Sequence, residues 1–116
     1  GGLGVGRRLG NLSWFKSTAA DINTRACLFD DEYVFNADGT FQNILGADTW
    51  LEGWQGAAEG CGAPVAPHDG SGSFTWTENA GTVTVNGTGA FLGLAKVHNT
   101  GELTRPGNAV ASMTYN

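Results

Sequence analysis

A chain of 116 residues with 41% apolar side chains can build one core and has no length for a second domain. Its 6 basic residues against 11 acidic ones leave a net charge of −5, which excludes the basic stripe on which phosphate-backbone binding depends, so nucleic acid is not an expected partner. Apolar runs such as Gly89 to Ala95 fall far short of the roughly 20 residues of a membrane-crossing helix, so no membrane span is expected, and 19 glycines with only 15% charged residues describe a turn-rich β composition.

Residues 1–12 form a glycine-rich arm without a periodic apolar face. The stretch Gly2-Leu3-Gly4-Val5-Gly6-Arg7-Arg8-Leu9-Gly10 imitates a phosphate-binding loop, but no strand precedes it and no convincing helix follows. The first residues also lack the charged, apolar and small-residue order of a signal peptide, so export would rely on a leader removed or lying elsewhere. Asn11 to Phe15 begins a strand or anchors the arm by burying Trp14 and Phe15. Ser17 to Ala26 has the strongest helical character, with Ser17 placed to cap it.

Arg25 to Phe35 reads as a long strand, with Phe29, Tyr33 and Phe35 on one face and Asp30 and Glu32 on the other. Asn36-Ala37-Asp38-Gly39 turns the chain, Asp38-Gly39 supplying positive φ, and Thr40 to Leu45 returns antiparallel. Ala47 to Gln55 reads as a strand that places Trp50 and Trp54 on one face. Residues 56–72, with Pro64, Pro67 and five glycines, form a long irregular loop and a candidate site. Phe74, Trp76, Val83 and Val85 alternate inward on a second hairpin that turns at Glu78-Asn79-Ala80-Gly81. Gly89 to Val97 reads as a strand apolar on both faces, residues 99–101 and 105–108 as turns, and Ala111 to Asn116 as a final β run.

Cys27 and Cys61 are the only cysteines, with no His clustered beside them. That fits one disulfide better than a metal site, the alternative being two buried free thiols. In the chain-entropy model, closing that loop contributes about 4 kcal/mol. An oxidising, extracellular setting follows from the bridge.

Four tryptophans are available to stack on sugar rings. Trp76 belongs to the core by alternation, whereas Trp50 and Trp54, with Asp48, Glu52 and Gln55 to bond hydroxyls, form the best candidate ligand site. His68 and Asp69 in the long loop complete it, the carboxylate being placed to orient the imidazole. No serine or cysteine is marked as a nucleophile, so no catalytic residue, no cofactor and no resident metal is assigned. Asp30, Asp31 and Glu32, with Asn36 or Asp38, match no calcium-loop spacing, and Asp31 needs a buried partner such as Arg25. A carboxylate pair drawn from Asp31, Asp48 and Glu52 is the hydrolase alternative.

The order of Gly2-Leu3-Gly4-Val5-Gly6, Ser13-Trp14-Phe15, Cys27-Leu28-Phe29-Asp30-Asp31, the Phe35 to Phe41 hairpin, Asp48 to Gln55, Cys61 to Gly70 and Phe91-Leu92-Gly93 resembles an uncharacterised domain of secreted multidomain proteins from marine bacteria. The resemblance covers nearly the whole chain. It implies a lipocalin-like antiparallel barrel found beside glycan-active or glycan-adhesive modules, hence secretion and polysaccharide binding, and it implies no catalytic residue. The pattern also has a Trp-bearing strand before the arm and two strands after Tyr115 that this chain lacks, so the barrel is expected to be incomplete.

The expected fold is therefore all-β, either a small antiparallel barrel of lipocalin-like form or a β-sandwich with long glycine-rich loops. The expected function is a non-catalytic extracellular module that binds a glycan, the alternatives being a structural or adhesive domain and a small glycan hydrolase. Open sheet edges are templates for a homodimer.

Overall fold

Two antiparallel hairpins joined side by side organise the protein. The computed structural model describes residues 3–6, 8 and 10–116; Gly1, Gly2, Arg7 and Leu9 of the expected arm lie outside the described residues. In chain order the elements are β1 (Gly4–Val5), β2 (Phe15–Lys16), α1 (Asp21–Thr24), α2 (Ala26–Phe29), β3 (Glu32–Phe35), β4 (Thr40–Ile44), β5 (Thr49–Leu51), a 3-10 turn (Gly53–Gln55), β6 (Gly60–Gly62), β7 (Phe74–Asn79), β8 (Thr82–Asn86), β9 (Val97–His98), β10 (Gly101–Glu102), a second 3-10 turn (Pro106–Asn108) and β11 (Ser112–Tyr115).

The main sheet has five strands in the order β11-β8-β7-β4-β3, and every pairing is antiparallel. Period-two alternation then assigns the faces. Phe41 lies opposite Phe35 and Phe74, and Val85 opposite Trp76 and Met113, so these side chains share the inner face. Phe41, Phe74, Val85 and Met113 are buried in one cluster with Leu45, Ala90 and Phe91, and Tyr33, Trp76 and Tyr115 pack against it. The outer face carries Thr40, Thr75, Thr77, Thr84 and Thr114, a polar surface suited to one solvated side of an antiparallel sheet.

Short antiparallel ribbons, β1 with β2, β5 with β6, and β9 with β10, accompany this sheet, and among the described residues none of the sheets closes into a barrel. The open, sandwich-like form of the all-β expectation is the one present. Cys27 on α2 is joined to Cys61 on β6, with Cα atoms 6.0 Å apart, which ties the helical turns to the β5–β6 ribbon as expected. The long loop is irregular apart from β6.

Four local expectations are corrected. Residues 26–29 are helical rather than extended, because Cys27 and Leu28 are both buried, and successive strand residues point to opposite faces while successive helical residues lie about 100° apart. Phe29 consequently leaves the Tyr33–Phe35 face and is 39% exposed. Ser17 does not cap α1: its Oγ accepts the Leu3 N–H at 2.9 Å, and the Asp21 carboxylate takes the Thr18 N–H at 2.6 Å. Ala47 to Gln55 splits into β5 and a 3-10 turn, so Trp50 and Trp54 do not share a strand face.

The fourth is Gly89 to Val97, which is irregular up to β9. Ala90 and Phe91 are consecutive and both buried, a demand that alternation cannot meet. The backbone is satisfied by side chains instead. Leu92 N–H donates to the Tyr115 hydroxyl and Gly93 N–H to the Tyr33 hydroxyl. At the first turn only Gly39 has positive φ (90°), and Asp38 serves through its carboxylate, which accepts the Thr40 N–H and hydroxyl. The second hairpin turns through Ala80 (φ 49°) and Gly81 (φ 88°), one residue pair inside the expected turn.

Candidate functional site

Five of the seven expected ligand-site residues line one cavity: Trp50, Glu52, Trp54, Gln55 and His68, beside Thr49, Phe91 and Lys96. Local geometry explains the gathering. Glu52 is extended at the entry to the 3-10 turn and its side chain accepts the Gln55 N–H, while Gln55 Oε1 accepts the Glu52 N–H at 3.1 Å. Trp54 Nε1–H donates to Glu52 Oε2 at 2.8 Å. The three polar side chains thus close on one another.

His68 is 2% exposed, its ring edge-on to Trp54 and Phe91 with centroids 5.4 Å and 6.0 Å away. Neither ring nitrogen has a hydrogen-bond partner among the described residues, and burial holds the imidazole pKa below its ordinary value, against an opposing pull from the Asp69 charge. The Trp50 indole N–H is likewise buried without a partner among the described residues, while its ring centroid lies 4.4 Å from the Arg25 guanidinium, which also stands 4.5 Å from the centroid of the Phe15 ring. The cavity measures about 20 Å³. That admits a single water-sized group and not a sugar ring.

Asp48 and Asp69 are not part of it. Asp48 is exposed beside the disulfide, whose sulfurs are bonded to each other and offer no thiolate to a metal. Asp69 does not orient His68; its Oδ1 accepts the N–H and hydroxyl of Ser71, a local turn that also lowers its pKa.

Asp31 finds Thr49 rather than Arg25. Thr49 Oγ1 donates to Asp31 Oδ2 at 2.7 Å, whereas Arg25 pairs with Asp21 at 3.6 Å. Desolvation pushes the Asp31 carboxyl up to about 6, the Thr49 bond opposes it, and the charges of Asp30 and Asp48 add to the rise. Neither Asp31 nor Asp48 lines this cavity, so with Glu52 they do not flank a space that a glycosidic bond could enter.

A second cavity, unforeseen from the sequence, is far larger. It is a cleft of about 790 Å³ between the β1–β2 ribbon, the segment 92–101 and the end of β11. Trp14 lines it and is 42% exposed, so of the two readings of Asn11 to Phe15 the start of a strand, β2, is the one present and burial of both aromatic rings is not. The ribbon is held by Trp14 N–H to the Val5 carbonyl at 3.1 Å and Ser17 N–H to the Leu3 carbonyl at 2.8 Å. Opposite stand Leu92, Val97, His98, Met113 and Tyr115. Three stretches far apart in the chain meet here, so spacing carried no signal for it beyond the aromatic residue Trp14 that follows the arm.

No protein-family model, no curated protein and no solved structure matches this chain. No helix among the described residues is long and apolar enough to cross a membrane. The Cys27–Cys61 disulfide is consistent with an extracellular protein.

Proposed function

We propose that this domain is a secreted, non-catalytic module that binds a glycan, and that the cleft beside Trp14 is where it does so. The observation that carries the reading is the cleft itself. Its volume of about 790 Å³ falls within the roughly 300–1,000 Å³ of small-ligand sites, and an exposed indole stands on its wall. An apolar floor at Leu92 and Met113 beside polar groups at Asn11, His98 and Thr100 suits a sugar, which has an apolar face and a hydroxyl rim. The disulfide supports secretion, and the resemblance to glycan-associated domains of secreted marine bacterial proteins points the same way.

Trp50, Trp54, Glu52, Gln55 and His68 are assigned to the scaffold in this reading, since their polar groups are engaged with one another or sealed around a space the size of one water. Pairing of two copies through sheet edges, the remaining expectation, has β3 as the more available edge, because the outer side of β11 is occupied by Asn99 bonded to Thr114. Affinity electrophoresis against a panel of polysaccharides tests the main reading. Retardation lost in Trp14→Ala, with an unchanged melting temperature, supports it; no retardation on any polysaccharide leaves a purely structural domain as the answer.

A further inference from the structure

We infer that the glycan is acidic, bearing carboxylate or sulfate groups, and that Arg8 is the residue that selects it; this rests on the cleft being the glycan site. None of the described residues lining the cleft is Asp or Glu, in a chain that has 11 of them, and Arg8 is among the lining residues. The two ion pairs among the described residues join Arg25 to Asp21 and Lys96 to Glu102, so Arg8 is neutralised by neither. A guanidinium offers a planar fork of donors matched to carboxylate or sulfate oxygens.

The hydrogen-bond inventory of the walls sharpens this. Most side-chain acceptors of the walls are already engaged inside the protein. Asn11 Oδ1 accepts the N–H and hydroxyl of Ser13. Asn99 uses both ends of its carboxamide on the backbone of Thr114. The Tyr115 hydroxyl accepts from Leu92 N–H and donates to the Met113 sulfur, and the Thr114 hydroxyl is paired with Thr84.

His98 Nδ1 takes the Thr100 N–H at 3.3 Å, which makes it the acceptor nitrogen and places the proton of the neutral ring on Nε2. Among the side chains of the walls, donors predominate for a ligand: the Arg8 guanidinium, His98 Nε2–H and the Asn11 amide nitrogen, with the Thr100 hydroxyl and the Asn116 carboxamide as the groups that can also accept. A neutral sugar needs acceptors for its hydroxyl protons as well as donors for its oxygens. A carboxylate or sulfate needs donors alone. Since the whole chain carries −5, polyanions are repelled at long range, and their retention requires a local cationic site.

The test is affinity electrophoresis at low ionic strength on three gels containing a polyuronate, a sulfated galactan and a neutral β-glucan, for wild type, Arg8→Gln and Trp14→Ala. Retention on either acidic polymer about 10-fold or more tighter than on the neutral one is expected, with Arg8→Gln removing that preference, because a charge-assisted bond of this kind is worth about that factor or more. The polyuronate and sulfate gels distinguish the two sources of charge. Equal retention on the neutral glucan, or acidic retention that survives Arg8→Gln, overturns the inference and leaves the glycan site standing. Retention on none of the three overturns both. Retention on acidic polymer that is lost with Arg8→Gln but unaffected by Trp14→Ala keeps Arg8 as selector and removes the stacking role of Trp14.

Discussion

The carboxamide of Asn43 is bonded at both ends to the backbone of Phe91, donating to its carbonyl at 2.8 Å and accepting its N–H at 3.3 Å. Both residues are buried, at 5% and 4% exposure, so the side chain substitutes for a missing strand in docking the 89–97 segment onto the sheet. Asn43→Leu strips the Phe91 backbone of partners in a place water does not reach, and is expected to cost about 2–4 kcal/mol. Urea denaturation measures this. A loss under 1 kcal/mol would mean that the segment docks by burial of Phe91 alone.

Asn99 makes the same two-ended bond to Thr114 on the outer side of β11, at 2.7 and 2.8 Å, but in an exposed setting. Water can replace it there. Asn99→Ala is therefore expected to cost about 1 kcal/mol or less, while freeing a strand edge for pairing with another copy. Light scattering against protein concentration reads the second effect, which a variant at Asn43 should not share at equal stability.

Reducing the Cys27–Cys61 bridge is expected to remove about 4 kcal/mol, the loop-closure entropy of its 34-residue separation. Thermal melts with and without dithiothreitol give the comparison. The loss should appear first around α2 and the β5–β6 ribbon, where Trp50 lies opposite Cys61 in the ladder, and a Trp fluorescence change that precedes the far-ultraviolet transition would report it.

Two buried titratable groups pull stability in opposite directions with pH. His68 has a folded pKa below its unfolded value of about 6.5, so its contribution is complete above that value and is lost as pH falls through the folded pKa. Asp31 is raised to about 6 from 3.8, so the folded state binds its proton more tightly and the penalty of ionising it is relieved as pH falls from above 6 towards 4. Asp31→Asn, which keeps an acceptor for Thr49, should stabilise the protein at pH 8 by about 1 kcal/mol after discounting a half-buried group for solvent screening. That advantage should vanish below about pH 4. His68→Phe should flatten the acid limb below about pH 6.5; melting temperatures across the range for the three proteins test both signs.

Ala80 turns the second hairpin with φ at 49°, a conformation that costs a side chain with a Cβ about 1 kcal/mol and that asparagine and glycine tolerate better. Ala80→Asn, giving Asn-Gly at the two turn positions, should raise stability by about 0.5–1 kcal/mol. An unchanged or lower denaturation midpoint would count against the turn geometry described for β7 and β8.

The two hairpins were readable because strict alternation in Phe74, Trp76, Val83 and Val85, and glycines at 39 and 81, specify face and turn through neighbours in sequence. Cys27-Leu28-Phe29 was misread because a short apolar run has no period to separate a buried helical turn from a strand. Gly89 to Val97 was misread for a different reason. Its backbone bonds go to side chains of Asn43, Tyr33 and Tyr115, which lie 48, 60 and 23 residues away. The clustering of Glu52, Trp54, Gln55 and His68 was legible, but whether their polar groups would face a ligand or one another is decided by packing that spacing does not encode.

Trp54 and Trp14 therefore separate the two cavities experimentally. Trp54 packs against buried His68 and gives its N–H to Glu52, so Trp54→Ala opens a void and leaves the Glu52 carboxylate short of a donor, at an expected cost of about 2–4 kcal/mol. Its effect on glycan retention, measured well below its melting temperature, should be small. Trp14 is 42% exposed on the wall of the cleft, and Trp14→Ala should change stability by no more than about 0.5 kcal/mol while weakening retention about 10-fold. If the losses fall the other way, with affinity following Trp54 and stability following Trp14, then the small cavity around His68 opens to admit ligand and the cleft does not hold it.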